Sequence, residues 1–417
     1  MPEISSPASH PVAGRPAADR CPGVLRLLEA ADGRLARVRL PGGLVSAAQL
    51  RVLGRLAREL GDGRAELTSR GNVQLRGLTA DAAAPLTGAL AQAGLLPSLE
   101  HDRVRNVLAS PLAGLDRGAD LTGVVRALDA GLCARERLAE LPGRFLFAVD
   151  DGRGDVAGLG ADVTATVRPD GAVVNGLAVG GSPGPAPDRP EGVAAGLRDG
   201  AVTVMLAFAE AFLDLRAEAG GTAWRIAEVP GGADRVRAAV AARLGLGAAA
   251  GDTARTALSD RPVGLVASRG AGEGAESPGL VREKGADSAV LLAPLGRLTS
   301  AQLSWLADRT GEREARITPW RSVVLPRAGD AAAVLRAAAG LGFGTGRASP
   351  WLRVTACAGR PGCASALADV QADAAGFAAR WPGRLLHVSG CARHCGRPAA
   401  TEIDVTATSE GYQVAGI

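Results

Sequence analysis

Leu67-Thr-Ser-Arg-Gly-Asn-Val-Gln-Leu75 has a counterpart 250 positions later, Ile317-Thr-Pro-Trp-Arg-Ser-Val-Val-Leu325, in which Leu67, Thr68, Val73 and Leu75 are answered by Ile317, Thr318, Val323 and Leu325. The flanking elements repeat as well. Ala48-Gln49-Leu50 matches Ala301-Gln302-Leu303, each opening a helical pattern. In the first copy the alternating segments Leu35–Leu40, Glu66–Ser69 and Val73–Arg76 flank a helix predicted from Ser46 to Leu60, where Leu50, Leu53, Ala57 and Leu60 share a face. A helix over Asp81–Ala93 closes that copy. The second runs through Ser288–Leu292, a helix over Ser300–Arg309, strands at Arg316–Thr318 and Val323–Leu325, and a helix over Asp330–Ala339. An internal duplication of an α+β half-domain follows, and duplicated chains commonly hold a ligand between their halves.

The chain of 417 residues carries 47 Lys+Arg against 43 Asp+Glu, a formal charge of +4, with only 3% aromatic side chains. The basic face and the stacking platform of a nucleic-acid binder are both missing. No run of about eighteen apolar residues occurs, and Met1–Arg20 lacks the apolar core of a secretory signal, so the sequence reads as a soluble cytoplasmic protein without a membrane or nucleic-acid partner. The expected layout is a disordered segment over 1–20, half-domain 1 over 21–98, an α/β lobe over 99–250, half-domain 2 over 260–346 and a second α/β lobe over 347–417. Gly180–Pro190 reads as a long loop, and Gly270–Gly279 as an exposed hairpin or inter-domain excursion. Helices are expected at Asp120–Leu141, Gly192–Glu218 and Ala364–Trp381, with a last strand at Gly411–Ala415.

Of the six cysteines, Cys21 and Cys133 stand alone and read as small core residues, while Cys357, Cys363, Cys391 and Cys395 cluster as C-x5-C and C-x3-C. Four soft thiolates from two Gly- and Pro-containing loops suit an iron–sulfur cluster or a tetrahedral zinc. Structural zinc takes tighter pairs, and core cysteines without a metal are the third alternative. A helix starting just after Cys363 would favour an anionic cluster through its N-terminal partial charge.

These residues resemble a known family. Thr355-Ala-Cys-Ala-Gly-Arg-Pro-Gly-Cys363 and Gly390-Cys-Ala-Arg-His-Cys-Gly-Arg-Pro398 look like the cluster loops of the sirohaem-dependent sulfite and nitrite reductases. Leu67–Leu75 resembles that family's tetrapyrrole-contacting strand and Asp102-Arg-Val-Arg-Asn-Val107 its next anion-contacting segment. Leu141-Pro-Gly-Arg-Phe-Leu-Phe147 stands where the reductases carry Leu-Pro-x-Lys-Phe-Lys. The resemblance spans nearly the whole chain. It implies duplicated ferredoxin-like half-domains plus two α/β lobes around a tetrapyrrole cavity, with a [4Fe–4S] cluster on Cys357, Cys363, Cys391 and Cys395. It also puts Arg70, Arg105 and Arg144 at positions that contact the anionic substrate or the tetrapyrrole carboxylates, where guanidinium forks suit the chemistry. Asn72 and Gln74 alternate with Arg70 on one strand face, and Arg321 sits beside the position equivalent to Arg70, as a further carboxylate contact.

One departure redirects the function. The reductases' second lysine is Leu146 here and their first is Arg144, which weakens reduction of a small oxyanion but not tetrapyrrole binding. Cys21-Pro-Gly-Val-Leu25, Arg39-Leu-Pro-Gly-Gly43, Thr318-Pro-Trp-Arg321 and Ser389-Gly-Cys-Ala392 resemble the precorrin-3B synthase branch of the family. That branch implies precorrin-3A as substrate, O2 as co-substrate, hydroxylation at C20 with γ-lactone formation in aerobic cobalamin biosynthesis, and a mononuclear non-haem iron. An external reductant such as NADH completes the set; the sequence does not name the electron donor. A facial triad would take two His and a carboxylate. His394, between two of the cysteines, is either an iron ligand or a hydrogen-bond donor to a cluster sulfur; His101 and His387 are the other candidates. The rival readings are a sirohaem sulfite or nitrite reductase, and a non-enzymatic iron–sulfur electron-transfer or tetrapyrrole-carrier module.

Overall fold

A computed structural model describes residues 19, 21–116, 118–180, 193, 195–247, 280–281 and 287–416. The segment expected to be disordered (apart from Asp19), the loop over 181–190 and the excursion over 270–279 lie outside the described residues. Two compact units emerge: a lobe unit, Met1–Cys21 with Ser98–Ala257, and a repeat unit, Pro22–Pro97 with Leu258–Ile417.

In chain order the elements begin β1 (Leu28–Ala30), β2 (Gly33–Val38), β3 (Leu44–Val45), α1 (Ala47–Leu60), β4 (Arg64–Leu67), β5 (Val73–Leu78) and α2 (Ala83–Gln92). The lobe unit follows with β6 (Val107–Ala109), α3 (Thr122–Cys133), β7 (Phe147–Asp150), β8 (Val163–Arg168), β9 (Gly171–Val174), β10 (Leu177–Val179), α4 (Ala195–Glu218) and α5 (Gly232–Leu244). The second copy holds β11 (Leu280–Val281), β12 (Ser288–Leu292), β13 (Arg297–Thr299), α6 (Ser300–Arg309), β14 (Ala315–Ile317), β15 (Ser322–Leu325) and α7 (Ala331–Gly340). The chain closes with β16 (Val354–Ala356), α8 (Val370–Arg380), β17 (Leu386–Ser389), β18 (Ile403–Thr408) and β19 (Gly411–Ala415).

The duplicated Ala-Gln-Leu has a physical reason. Ser46 and Thr299 cap α1 and α6, and Gln49 and Gln302 complete a capping box at each N-terminus. Each glutamine also reaches the far end of the next helix in its copy, Gln49 Nε2 to Ala93 O (3.1 Å) and Gln302 Nε2 to Leu341 O (2.9 Å). One side chain thus fixes two helix termini. α1 and α6 pack on each other at Gly54, where a Cβ would stand 3.2 Å from Leu303 Cβ, and the buried leucines of both copies form one core.

The two half-domain sheets exchange strands. The order β1-β2-β5-β4-β13 takes β13 from the second copy, and β11-β12-β15-β14-β3 takes β3 from the first. Neither half-domain is self-contained. The lobes repeat a pattern of their own: β6, β7 and β8 run parallel with β9 antiparallel, and β16, β17 and β18 run parallel with β19 antiparallel.

Two helices are shorter than expected. The one predicted over 120–141 ends at Cys133, with extended backbone at Arg135, whose side chain bonds Gly131 O and Glu210. The one predicted from Ala364 begins at Val370, because Asp369 caps it by accepting from Ala372 N (3.1 Å). No helix among the described residues is long and apolar enough to cross a membrane.

Candidate functional site

The cysteine loops leave the repeat unit's four-stranded sheet at one edge. Parallel neighbours end on the same side, and the C-terminal ends of parallel strands are where open α/β sheets bind ligands. β16 runs into Cys357 and β17 into Gly390-Cys391, with Cys357 N on Val388 O at 3.0 Å. The loops also hold each other: Leu367 N donates to Gly390 O (2.7 Å) and Gly390 N to Cys357 Sγ (3.1 Å). Only glycine fits at 390, since a Cβ there would meet Ala366 Cβ at 2.8 Å. All four thiols are free, Cys395 exposed and the others partly buried. The thiols are not drawn to one point: among the described residues no three Cys, His, Asp or Glu side chains converge as a metal site. Four thiol donors on two loops tied at a single edge nonetheless make the donor set a thiolate-held cluster takes. The helix-dipole contribution expected just after Cys363 is absent, because α8 starts later and its N-terminus is capped by the Asp369 carboxylate.

The histidines divide sharply. His101, in the lobe unit, is buried with Nδ1 on Ser98 Oγ (2.7 Å) and Nε2 on Arg135 O (3.0 Å). His387 is fully buried on β17. Thr355 Oγ1 donates to Leu386 O, so it accepts the His387 Nδ1–H at 2.8 Å and leaves Nε2 without a partner. Burial pulls the His387 pKa down to about 4 against the opposing pull of Asp404, so the ring is neutral at pH 7. His394 places Nδ1 3.1 Å from Asp404 Oδ2, which also accepts from Arg397 Nε at 2.9 Å. Among the described residues, two histidines and a carboxylate do not come together as the expected facial triad. His387 and Asp404 are register partners, but the triad does not converge.

The repeat motifs form matching turns. Gly71 N bonds Thr68 O (3.1 Å) and Thr68 N bonds Asn72 O (2.9 Å); Arg321 N bonds Thr318 O (3.2 Å) and Thr318 N bonds Ser322 O (2.9 Å). At the left-handed position the first copy has Gly71 (φ +65°) and the second has Arg321 (φ +60°). A side chain there costs about 1–2 kcal/mol. The Arg321 stem lies on Gly296, where a Cβ would meet Arg321 Cδ at 2.8 Å. Burial lowers the pKa of this guanidinium, Glu66 only partly opposing, and no carboxylate among the described residues hydrogen-bonds it. A strained, desolvated cation without a bonded anion is a ligand-seeking group.

Asn72 and Gln74 serve the fold instead. Asn72 is fully buried and its Oδ1 accepts from Leu40 N at 2.9 Å. Gln74 lies in a row across four strands, accepting from Arg37 Nε (3.1 Å) and donating to Glu66 Oε2 (3.2 Å), with Arg297 beyond. Arg70 is half-buried at the turn. In the lobe unit, Arg105 closes its fork on Asp129, Nε and Nη2 both at 2.7 Å; burial alone would lower its pKa, and Asp129 reverses the sign. Arg144 is exposed and lies over the Trp224 ring, 5.3 Å from its centroid. Leu146 is buried, with its N–H on Asp162 Oδ2 at 3.0 Å.

The profile of the nitrite/sulfite reductase ferredoxin-like half domain matches residues 28–93. A ferredoxin–nitrite reductase of Synechococcus elongatus is 27% identical over 419 residues, 92% of this chain and 78% of that protein. A precorrin-3B synthase of a Sinorhizobium species is 27% identical over 406 residues, 94% of this chain and 81% of that protein. The chain is thus similar in sequence to nitrite and sulfite reductases and to a precorrin-3B synthase over nearly its whole length, with one matched half domain. The fold agrees: the structure of Mycobacterium tuberculosis NirA superposes with a TM-score of 0.67 at 20% identity, covering 91% of this chain and 73% of that one. Arg105 and Arg321 differ in kind: Arg105 is paired with Asp129, whereas no carboxylate among the described residues hydrogen-bonds Arg321.

Sequence reasoning missed Arg76 and Asp32. Arg76 follows Gln74 at period two on β5, continuing the alternation from Asn72 just before the strand, and makes a bidentate pair with Asp32, 3.0 Å for each bond. The alternation was the available signal.

Proposed function

We propose that this protein is an oxidoreductase whose repeat unit holds a carboxylate-bearing tetrapyrrole as substrate, and that the substrate is precorrin-3A, hydroxylated at C20 with γ-lactone closure from the ring A acetate. The single observation behind the tetrapyrrole reading is Arg321: a largely buried guanidinium in a strained backbone, hydrogen-bonded by no carboxylate among the described residues. A bidentate carboxylate would satisfy it. In this reading Arg70, at the equivalent turn, supplies a second contact. The neutral, fully buried His387 offers Nε2 as a hydrogen-bond acceptor at the sheet edge. His394 pairs with Asp404 through Nδ1.

Cys357, Cys363, Cys391 and Cys395 would hold a [4Fe–4S] cluster, which when bound supplies electrons one at a time. The overall balance takes one oxygen atom of O2 into the product and releases the other as water. Two electrons come from an external reductant such as NADH. The precorrin-3B synthase relative and Leu146 favour this reading over sulfite or nitrite reduction. The nitrite reductase relative of equal identity favours the alternative, a sirohaem reductase. Anaerobically prepared protein given precorrin-3A, reductant and 18O2 tests it. A product carrying one 18O atom is expected; unlabelled or unchanged precorrin-3A, with sulfite or nitrite consumed in a parallel assay, would establish the alternative.

A further inference from the structure

The C-x5-C loop is seated on an ion pair of the first half-domain. Arg76 and Asp32 are both nearly buried, side chains 10% and 11% exposed, and make two 3.0 Å bonds to each other. The same Arg76 Nη2 then donates to Gly362 O at 2.8 Å, across 286 residues of chain and directly before Cys363. The fit leaves no spare room. A Cβ at Gly362 would meet Arg76 Nη2 at 2.8 Å and Asp32 Oδ2 at 3.3 Å. At the other end of the loop Gln371 Nε2 holds Cys357 O at 2.7 Å. The carbonyls at or beside both cysteines of this loop are thus fixed by side chains from outside it.

We propose that Arg76 and Asp32 are positioning residues for Cys363 and set the local charge beside the metal centre, a role that rests on the cluster reading above. The pair is neutral as a unit, so each half balances the other next to an anionic group. Removing one half leaves the other as an uncompensated buried charge, and cluster potentials follow nearby charge and hydrogen bonding. Asp32→Asn leaves a bare cation, which favours the more negative, reduced cluster and raises the potential. Arg76→Gln leaves a bare anion and lowers it. A merely structural role would give no such opposition in sign.

The test is an EPR-monitored redox titration of the full chain, with iron and acid-labile sulfide measured on the same samples. Expected are a positive shift for D32N, a negative shift for R76Q, and a return toward the wild-type potential in the D32N/R76Q double variant. If R76Q loses iron, R76K should retain it by keeping the cation. Shifts of the same sign, or none at full iron content, overturn the proposal. R76K losing as much iron as R76Q does so too. Wild-type protein that takes up no iron and sulfide would overturn the cluster reading itself, and the proposal with it.

Discussion

Arg321→Gly should make the protein more stable and a worse tetrapyrrole binder. The backbone at 321 has φ +60°, and the matching turn of the first copy carries Gly71 at φ +65°. Relief of the left-handed strain is worth about 1–2 kcal/mol. Glycine's larger unfolded-state freedom takes back about 0.5–1 kcal/mol. The desolvated guanidinium, its pKa already lowered by burial, disappears as well, so the balance favours the variant. A net gain of about 1 kcal/mol raises Tm by about 2–4 °C in a unit of this size. Binding moves the other way, because losing a hydrogen bond to a charged group costs about 1.5–3 kcal/mol. At about 1.4 kcal/mol per tenfold, that weakens Kd by roughly ten- to a hundredfold. Scanning calorimetry of the unliganded protein and fluorescence titration with uroporphyrin III, an octacarboxylate analogue, give both numbers. A variant that is less stable than wild type and binds uroporphyrin equally well would refute the reasoning.

Other expectations are independent of the ligand. Burial, helped by Asp150 and opposed by Ser110, holds the Asp155 carboxyl at about 7 against an ordinary 3.8. The folded state therefore prefers the protonated acid, and the penalty is absent below about pH 4, grows to about pH 7 and is constant above. Its full size is about 4 kcal/mol at 1.36 kcal/mol per unit; Asp155→Asn should flatten that slope in urea titrations between pH 4 and 8, and parallel slopes would count against it. Asn72→Ala leaves the buried Leu40 N–H unpaired and should cost about 1–3 kcal/mol in the same assay. Gly43→Ala places a Cβ 1.9 Å from Ile317 O at φ +71°, so it should destabilise more than the roughly 1–2 kcal/mol of left-handed strain alone; a near-neutral variant would mean the turn relaxes freely.

Much of the fold was legible because its signals are local. The capping glutamines and the apolar face of α1 and α6 mark helices whose observed bounds lie within a residue of those expected. The strand exchange was not legible: β3 and β13 are two and three residues long, too short to carry a period, and their partners are set by the packing of α1 on α6. The same limit governs the site. Spacing put the four cysteines on two loops, which the fold ties to each other, but which carboxylate closes on Arg105 depends on where α3 lands, and the positive φ at Arg321 depends on the turn it shares with Gly71. Side-chain partners across a fold leave no trace in one sequence. Arg76 is the exception, since its alternation with Gln74 was visible, although its contact with Gly362 was not.

The central claim is that the tetrapyrrole is substrate and the metal is held by the four cysteines. Optical and EPR spectra of protein purified anaerobically from a host that supplies sirohaem test it most directly. The account predicts an iron–sulfur signal with no macrocycle bands, lost together with iron in Cys391→Ser. Stoichiometric sirohaem, magnetically coupled to the cluster, would contradict it and make the protein a reductase.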